Sequence, residues 1–413
     1  MQHNRFFTVL SLFLVLVAMA FALTPKAQAA SSEKVLYSFT NGADGGDPVA
    51  GLVFDGAGNL YGTTHYGGTS DYGTVFELTP GGGGKWTESV LFSFTGGKDG
   101  GEPNAGLIFD AAGNLYGTTY LGGTHGHGTA FMLSPKGGGK WAEKVLHSFS
   151  GGKDGGRPSA GLIFDAAGNL YGTTAEGGKY EYGAAFMLVP PGVNSKWTVT
   201  TLHSFNANGK DGYTPLASLV FDATGILYGT TWAGGSHADG TVFTLTPDGA
   251  GGWKEKVIYN FNFGNGKDGA EPVAGLILDA AGNLYGTTVS GGSNRFYGTV
   301  FELTLGVNGK WKETILHTFD DGTGGGEPNA GLIADAAGNL YGTAATGGTA
   351  GVLFELTLGG NGKWKETVLH DFKSGKDGAE PYAGVIFDAA GNLYGTTKIG
   401  GADSSGTVFE VTP

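Results

Sequence analysis

Residues 105–119 read AGLIFDAAGNLYGTT, and the same phrase recurs with few changes at 50–64, 160–174, 274–288, 330–344 and 383–397, and more loosely as ASLVFDATGILYGTT at 217–231. Self-similarity at a fixed period is the mark of a repeat architecture. Two further phrases keep the same register. The first, typified by GTVFEL at 73–78, returns at 128–133, 183–188, 240–245, 298–303, 351–356 and 406–411. The second, V-L-x-S-F, ends at Phe39, Phe94, Phe149, Phe205, Phe261, Phe319 and Phe372, at spacings of 55, 55, 56, 56, 58 and 53 residues. The chain therefore consists of seven copies of one unit. Its 81 glycines among 413 residues would suggest low complexity in an aperiodic chain, but here they fall in register with the copies.

Within a unit, the apolar residues mark four short strands separated by Gly, Pro, Asn and Asp, with no stretch of helical period. In the second unit the pattern predicts strand a at Ala105–Phe109, b at Asn114–Tyr120, c at Gly128–Leu133 and d at Lys140–Phe149. Asp110 is placed to accept backbone N–H groups in an Asx-turn, with Gly113 free to take a positive φ. The glycine-rich link Ser134–Gly139 suits a hairpin.

Four antiparallel strands repeated in tandem fit a propeller or an open solenoid. The last copy runs to Pro413 directly after strand c, and the first copy is preceded by a lone strand d, Lys34–Phe39. Pairing these two ends completes a last blade and leaves no unpaired interior edge. The expected fold is all-β, a seven-bladed β-propeller with four antiparallel strands per blade, closed by the N-terminal strand pairing with the last blade. Its blades fall at about 50–94, 105–149, 160–205, 217–261, 274–319, 330–372 and 383–413 plus 34–39.

The unit G-x-L-Y-G-T-T-x-x-G-G-x-x-x-x-G-T-V-F, carried over essentially all of Val35–Pro413, resembles the GloVer (Gloeo-Verruco) tandem-repeat family of exported bacterial proteins. The L-Y-G-T-T-x-x-G-G step and the tryptophan that opens strand d (Trp86, Trp141, Trp197, Trp253, Trp311, Trp364) are more distantly similar to kelch blades. The resemblance implies a secreted repeat protein and brings no catalytic residues with it.

Export is also what the N-terminus suggests. Arg5 precedes an apolar run from Phe6 to Leu23, and Ala27-Gln28-Ala29 gives the small-x-small pattern of a signal-peptidase site. Residues 1–29 are thus expected to be a signal peptide and 30–413 a single domain, secreted or periplasmic, with no membrane insertion after cleavage. The run also approaches the length of one membrane-spanning helix, which leaves an uncleaved anchor as the alternative. The formal charge is −13, and losing Arg5 and Lys26 with the leader makes it −15. Such a surface argues against nucleic acid as a partner. With no cysteine, disulfides, thiolate metal sites and thiol nucleophiles are excluded. A monomer is expected.

Residues shared by every copy serve the blade, so a site is sought where copies differ. In a propeller the d-to-a and b-to-c loops share one face. The b-to-c loops supply His65, Tyr66 and Tyr72 in blade 1, Tyr120, His125 and His127 in blade 2, and Glu176, Tyr180, Glu181 and Tyr182 in blade 3. Blade 4 adds Trp232, His237 and Asp239, blade 5 adds Arg295, Phe296 and Tyr297, and blade 7 adds Lys398 and Asp403. Aromatic faces beside polar groups can stack on sugars or grip a peptide. Tolerant loop tips with no shared role are the alternative.

His125 and His127, with His65 or His237, raise a metal site, but H-x-H in a glycine loop reads more readily as a solvated loop. No metal and no cofactor are expected. His147, His203, His317 and His370 fill the slot in strand d that holds Tyr37, Phe92 and Tyr259 elsewhere, which is a packing slot. The acids of the d-to-a loops, such as Asp99 and Glu102, are too few for calcium and read as a turn. No acid pair is singled out for glycoside cleavage, and the nucleophile elbow, the H-E-x-x-H helix and the P-loop are absent from the sequence. The expected function is a binding or scaffold module for an extracellular polysaccharide or protein ligand. A polysaccharide-active lyase or hydrolase on the same face, and an envelope protein with no specific ligand, are the alternatives.

Overall fold

The structure is a computed structural model that describes residues 31–192, 196–293 and 296–413. The expected signal peptide lies outside the described residues. Seven four-stranded antiparallel sheets follow one another, each in the order a-b-c-d, as the repeats predict. In blade 2 the strands are Ile108–Phe109, Leu115–Thr119, Thr129–Gly137 and Lys140–Ser148. In the last blade, Ser32–Ser38 pairs antiparallel with Thr407–Thr412, in a register running from Ser32 opposite Thr412 to Ser38 opposite Thr407. The N-terminal strand therefore closes the ring. Among the described residues no helix is long and apolar enough to cross a membrane.

Each sheet is covered by a neighbour on both faces, so its middle strands carry apolar or bonded residues on both sides. Strand b, L-Y-G-T-T, is buried along its whole length in blades 1, 2, 3, 4 and 7. The core lies between blades. Tyr61 and Val75 of blade 1 meet Leu107, Leu115 and Phe131 of blade 2, and Phe94 stands edge-on to Phe131 with ring centroids 5.1 Å apart. The glycine of strand b is there to make room. A Cβ at Gly117 would come within 2.8 Å of both Leu107 Cδ2 and Phe131 Cζ.

The two threonines after that glycine have separate tasks. The first is an inter-blade bond: Thr118 Oγ1 donates to the carbonyl of Ala160 in strand a of the next blade, at 3.1 Å. The same bond occurs at every junction and ends with Thr396 Oγ1 donating to Ala50 O at 3.3 Å, across the seam. The second threonine holds the loop that follows. Thr119 Oγ1 donates to Leu121 O and accepts from the backbone N–H of Thr129.

Strand a is shorter than the pattern predicts, because only Ile108 and Phe109 find ladder partners. Ala105, Gly106 and Leu107 instead run beside the axis, where strands converge from all blades. There a Cβ at Gly106 would lie 3.2 Å from Gly51 O, one at Gly331 3.1 Å from Gly275 O, and one at Gly384 3.1 Å from Gly331 O. Glycine forms a collar around the axis, interrupted by Ser218. The c–d hairpin of blade 2 is also tighter than predicted, since strand c continues to Gly137. A β-bulge at one position of every c–d pair, opposite Val75/Phe76 in blade 1, turns a leucine or isoleucine of the V-L-x-S-F phrase toward the core.

Phe39, fully buried beside Phe76, anchors the closing strand. Phe39→Ala should cost about 3–5 kcal/mol in chemical denaturation. Deleting 31–39 should lower the melting temperature far more than trimming an exposed loop of equal length. An unchanged denaturation midpoint in either variant would show that closure does not depend on this strand.

Candidate functional site

The d-to-a and b-to-c loops lie together because their backbones pair. Gly46 bridges Tyr66, Gly101 bridges Leu121, Gly156 bridges Glu176, Gly326 bridges Thr346 and Ala379 bridges Ile399. In blades 4 and 5 the bridge lengthens into two-residue ladders, Gly212–Tyr213 with Ala233–Gly234 and Gly269–Ala270 with Ser290–Gly291.

Within this face the residue before each d-to-a proline adopts left-handed backbone. Asp47, Glu102, Arg157, Thr214, Glu271, Glu327 and Glu380 have φ between 51° and 59°. For non-glycine residues such backbone costs about 1–3 kcal/mol and persists only where its surroundings impose it. Here two hydrogen bonds impose it. The N–H of Glu102 donates to Tyr72 O of the preceding blade, and its carbonyl accepts from Tyr120 N. The proline fixes the other side, since Pro103 Cδ would lie 2.8 Å from a Cβ at Gly73. The strained residues thus sit around the mouth of the axial channel while their identities are free to differ.

They differ most usefully where blades 7, 1 and 2 meet. Asp47, Val49, His65, Tyr66, Asn104 and Lys398 line a depression of about 280 Å³. His65 donates from Nδ1 to Asn104 Oδ1, lies 3.9 Å from Glu102 through Nε2 and stands edge-on to Tyr66 at 4.1 Å. Lys398 Nζ is 3.7 Å from Glu380 and 4.9 Å above the Tyr382 ring. Burial raises the Asp47 carboxyl above its ordinary range, and Lys398 and His65 draw it back only in part. The arc continues through Arg157, which donates from Nη1 to Tyr120 OH at 3.0 Å and pairs with Glu176 at 3.1 Å.

A second set of ionisable groups lies at the blade junctions. In five of the loops an aspartate turns back to a strand-d side chain: Asp44, Asp154, Asp211, Asp268 and Asp377. Asp44 accepts from Tyr37 OH and the Thr40 N–H, Asp154 lies 2.8 Å from His147 Nε2, and Asp211 lies 2.9 Å from His203 Nε2. A glutamate of the next blade then faces a loop aspartate: Glu88 at Asp44, Glu143 at Asp99, Glu255 at Asp211, Glu313 at Asp268, Glu366 at Asp320 and Glu33 at Asp377. Burial, with the facing aspartate, pushes Glu33, Glu88, Glu143, Glu255 and Glu366 up to about 7 and Glu313 to about 9. Blade 3 carries Val199 at the equivalent register, opposite Leu188 as Glu255 is opposite Leu245. There Asp154, bonded to His147 and Ser150, falls to about 2.

The profile of the Gloeobacter/Verrucomicrobia repeat matches residues 18–243, 87–295 and 222–413. The chain belongs to the Gloeobacter/Verrucomicrobia repeat family. No curated protein matches it. Among solved structures, a fungal alcohol oxidase of the AA5 family in complex with copper is similar over 93% of this chain and 77% of its own, at 15% identity and a TM-score of 0.56. The periplasmic gluconolactonase of Pseudomonas aeruginosa is similar over 78% of this chain and 84% of its own, at 13% identity and a TM-score of 0.48. At 15% identity the likeness to the oxidase is one of fold alone.

In this Gloeobacter/Verrucomicrobia repeat protein, the mouth arc brings together His65, Tyr66 and Lys398, and Tyr120 joins through Arg157. Trp232, Tyr180 and Tyr182 are exposed on blades 4 and 3, with Tyr182 against Tyr213 at 5.2 Å. His125 and His237 are exposed loop tips. His127 and Tyr297 turn under the next d-to-a loop: a Cβ at Gly151 would lie 2.7 Å from His127 Nε2, and Tyr297 packs on the blade 6 core. Arg295 lies outside the described residues. The four strand-d histidines fill half-buried slots, as expected, with His147 edge-on to Phe149 at 4.8 Å, but His147, His203 and His370 also reach an aspartate of the following loop. Among the described residues none of the loop histidines joins a potential metal-holding group. Sequence reasoning took the acids Asp47 and Glu102 for turn residues and did not single out Arg157; the signal it passed over was their variation at a fixed place before proline. It also passed over the W-x-E at the start of strand d, which supplies the junction glutamates.

The raised glutamates make stability pH-dependent. Between their unfolded value of 4.5 and about 7 the folded chain holds more protons than the unfolded one, so stability falls as pH rises through that window. His317, lowered by burial, opposes this as a single group. The Asx-turn aspartates, held below their usual 3.8, matter only at lower pH. In chelator-treated protein the melting temperature should fall from pH 5 to pH 8, and Glu313→Gln should make that fall shallower. A flat profile would contradict the junction geometry.

Proposed function

We propose that this protein is an exported binding module that holds a carbohydrate chain across the mouth arc of blades 7, 1 and 2. The observation that carries the reading is the depression in which His65, Tyr66, Asn104 and Lys398, from different blades and different loops, converge on Asp47. Tyr66, Tyr120 and Tyr382 offer aromatic faces, and Asn104, Glu102 and Lys398 offer hydrogen-bonding groups between them. That alternation suits a sugar, whose apolar face stacks while its hydroxyls are bonded. The leader supports a place outside the cytoplasm, secreted or periplasmic, and the closed ring supports a monomer.

Purified protein lacking the leader should bind members of a polysaccharide and peptidoglycan array without consuming them. Tyr66→Ala and Lys398→Ala should each weaken binding about 10-fold or more, the scale of one lost interaction of about 1.4 kcal/mol, while Trp232→Ala should leave it unchanged. Silence on the array would count against the carbohydrate and favour a protein ligand or an envelope role. A second reading rests on Asp47, whose raised carboxyl beside Lys398 and His65 has the character of a catalytic acid. Product formation on any bound polysaccharide, abolished by Asp47→Asn, would make the protein a polysaccharide-active enzyme.

A further inference from the structure

We infer that the junction of blades 3 and 4 is a divalent-cation site formed by His203, Asp211 and Glu255. Each residue offers one ligand atom, and these atoms lie within 4.8 Å of one another. Strand d of blade 3 supplies the imidazole, the loop after it supplies Asp211, and strand d of blade 4 supplies Glu255. Two features separate this group from an ordinary acid cluster. Asp211 is 8% exposed, yet its Oδ1 has no hydrogen-bond partner, and neither does Glu255 Oε1. Among the described residues no lysine or arginine pairs with either acid, so one imidazole faces a buried and a half-buried carboxyl group.

Blade 3 provides an internal comparison. At the junction of blades 2 and 3, His147 and Asp154 form the same pair, 2.8 Å apart, but Val199 stands where Glu255 stands. A histidine–aspartate pair is complete without a third group. The added glutamate costs solvation unless it keeps its proton or a cation takes the proton's place. The ligand set of one imidazole nitrogen and two carboxylate oxygens suits Zn²⁺, bound at about 2.0–2.2 Å, better than Ca²⁺, which takes oxygen ligands alone. The cation would replace the proton between His203 Nε2 and Asp211 Oδ2, now 2.9 Å apart, so loading releases a proton. Glu33, His370 and Asp377 repeat the arrangement, half-buried, at the junction of blades 6 and 7.

The inference is independent of the carbohydrate reading, and its test uses the metal alone. Chelator-treated protein is dialysed against Zn²⁺, and bound metal is counted by elemental analysis alongside thermal melts. Glu255→Val, which copies blade 3, should lose about one equivalent of Zn²⁺ and the part of the Zn²⁺-dependent rise in melting temperature that this site supplies. Val199→Glu should gain about one equivalent at the junction of blades 2 and 3, and it carries the test if Glu255→Val does not fold. Equal Zn²⁺ stoichiometry in the parent and both variants, or no Zn²⁺ bound by the parent, would overturn the proposal.

Discussion

The hydrogen bond from a buried threonine of strand b to the alanine carbonyl at the start of the next blade's strand a underlies everything else in this molecule. Strand a has almost no ladder of its own, because it lies at the axis where blades crowd together. Its carbonyls would be buried without partners if Thr63, Thr118 and their counterparts did not donate to them. An unpartnered buried carbonyl costs about 1–3 kcal/mol, and the bond occurs at every junction, including Thr396 to Ala50. The threonine thus aligns each blade on the next, and that alignment lets the glycine collar, the phenylalanine stack and the loop pairing repeat.

Because the blade-making residues are fixed by packing, chemistry is confined to positions that packing leaves free. The left-handed residue before each proline is one such position: its backbone is held from both sides, and its side chain projects toward the mouth. Asp, Glu, Arg and Thr all occur there at nearly the same φ. The residue that follows strand b is another, occupied by His65, Tyr120, Trp232 and Lys398 in some blades and by Ala175, Val289 and Ala345 in others. The large polar and aromatic residues adjoin one another on the arc of blades 7, 1 and 2, while Trp232 stands between the smaller residues of blades 3 and 5.

The architecture was legible in the sequence because its causes are local and repeated. An Asp-x-x-Gly turn, a glycine under a phenylalanine and a threonine beneath the next blade each leave the same letters in each copy. The missing strand at one end and the surplus strand at the other were enough to predict the closure between Ser32–Ser38 and Thr407–Thr412. The site was less legible. Asp47, His65, Asn104 and Lys398 are far apart in the chain and meet only because the ring closes between blades 7 and 1. The junction pairs were hidden for a related reason. Asp211 and Glu255 belong to different repeats, so no single unit displays both acids in one loop. Ladder pairing decided the true extent of strand a, and periodicity alone does not report it.

The glycine collar also bears on how such a gene can change. Tandem copies this alike invite unequal recombination, which adds or deletes whole units. A collar so close that a Cβ at Gly106, Gly331 or Gly384 would meet the neighbouring carbonyl within 3.2 Å is matched to seven units, and a change in their number would have to alter its spacing. Copy number is therefore policed by the waist of the channel, whereas point changes at the mouth pass without structural consequence. Lineages of this protein should vary at the mouth while keeping their count of blades.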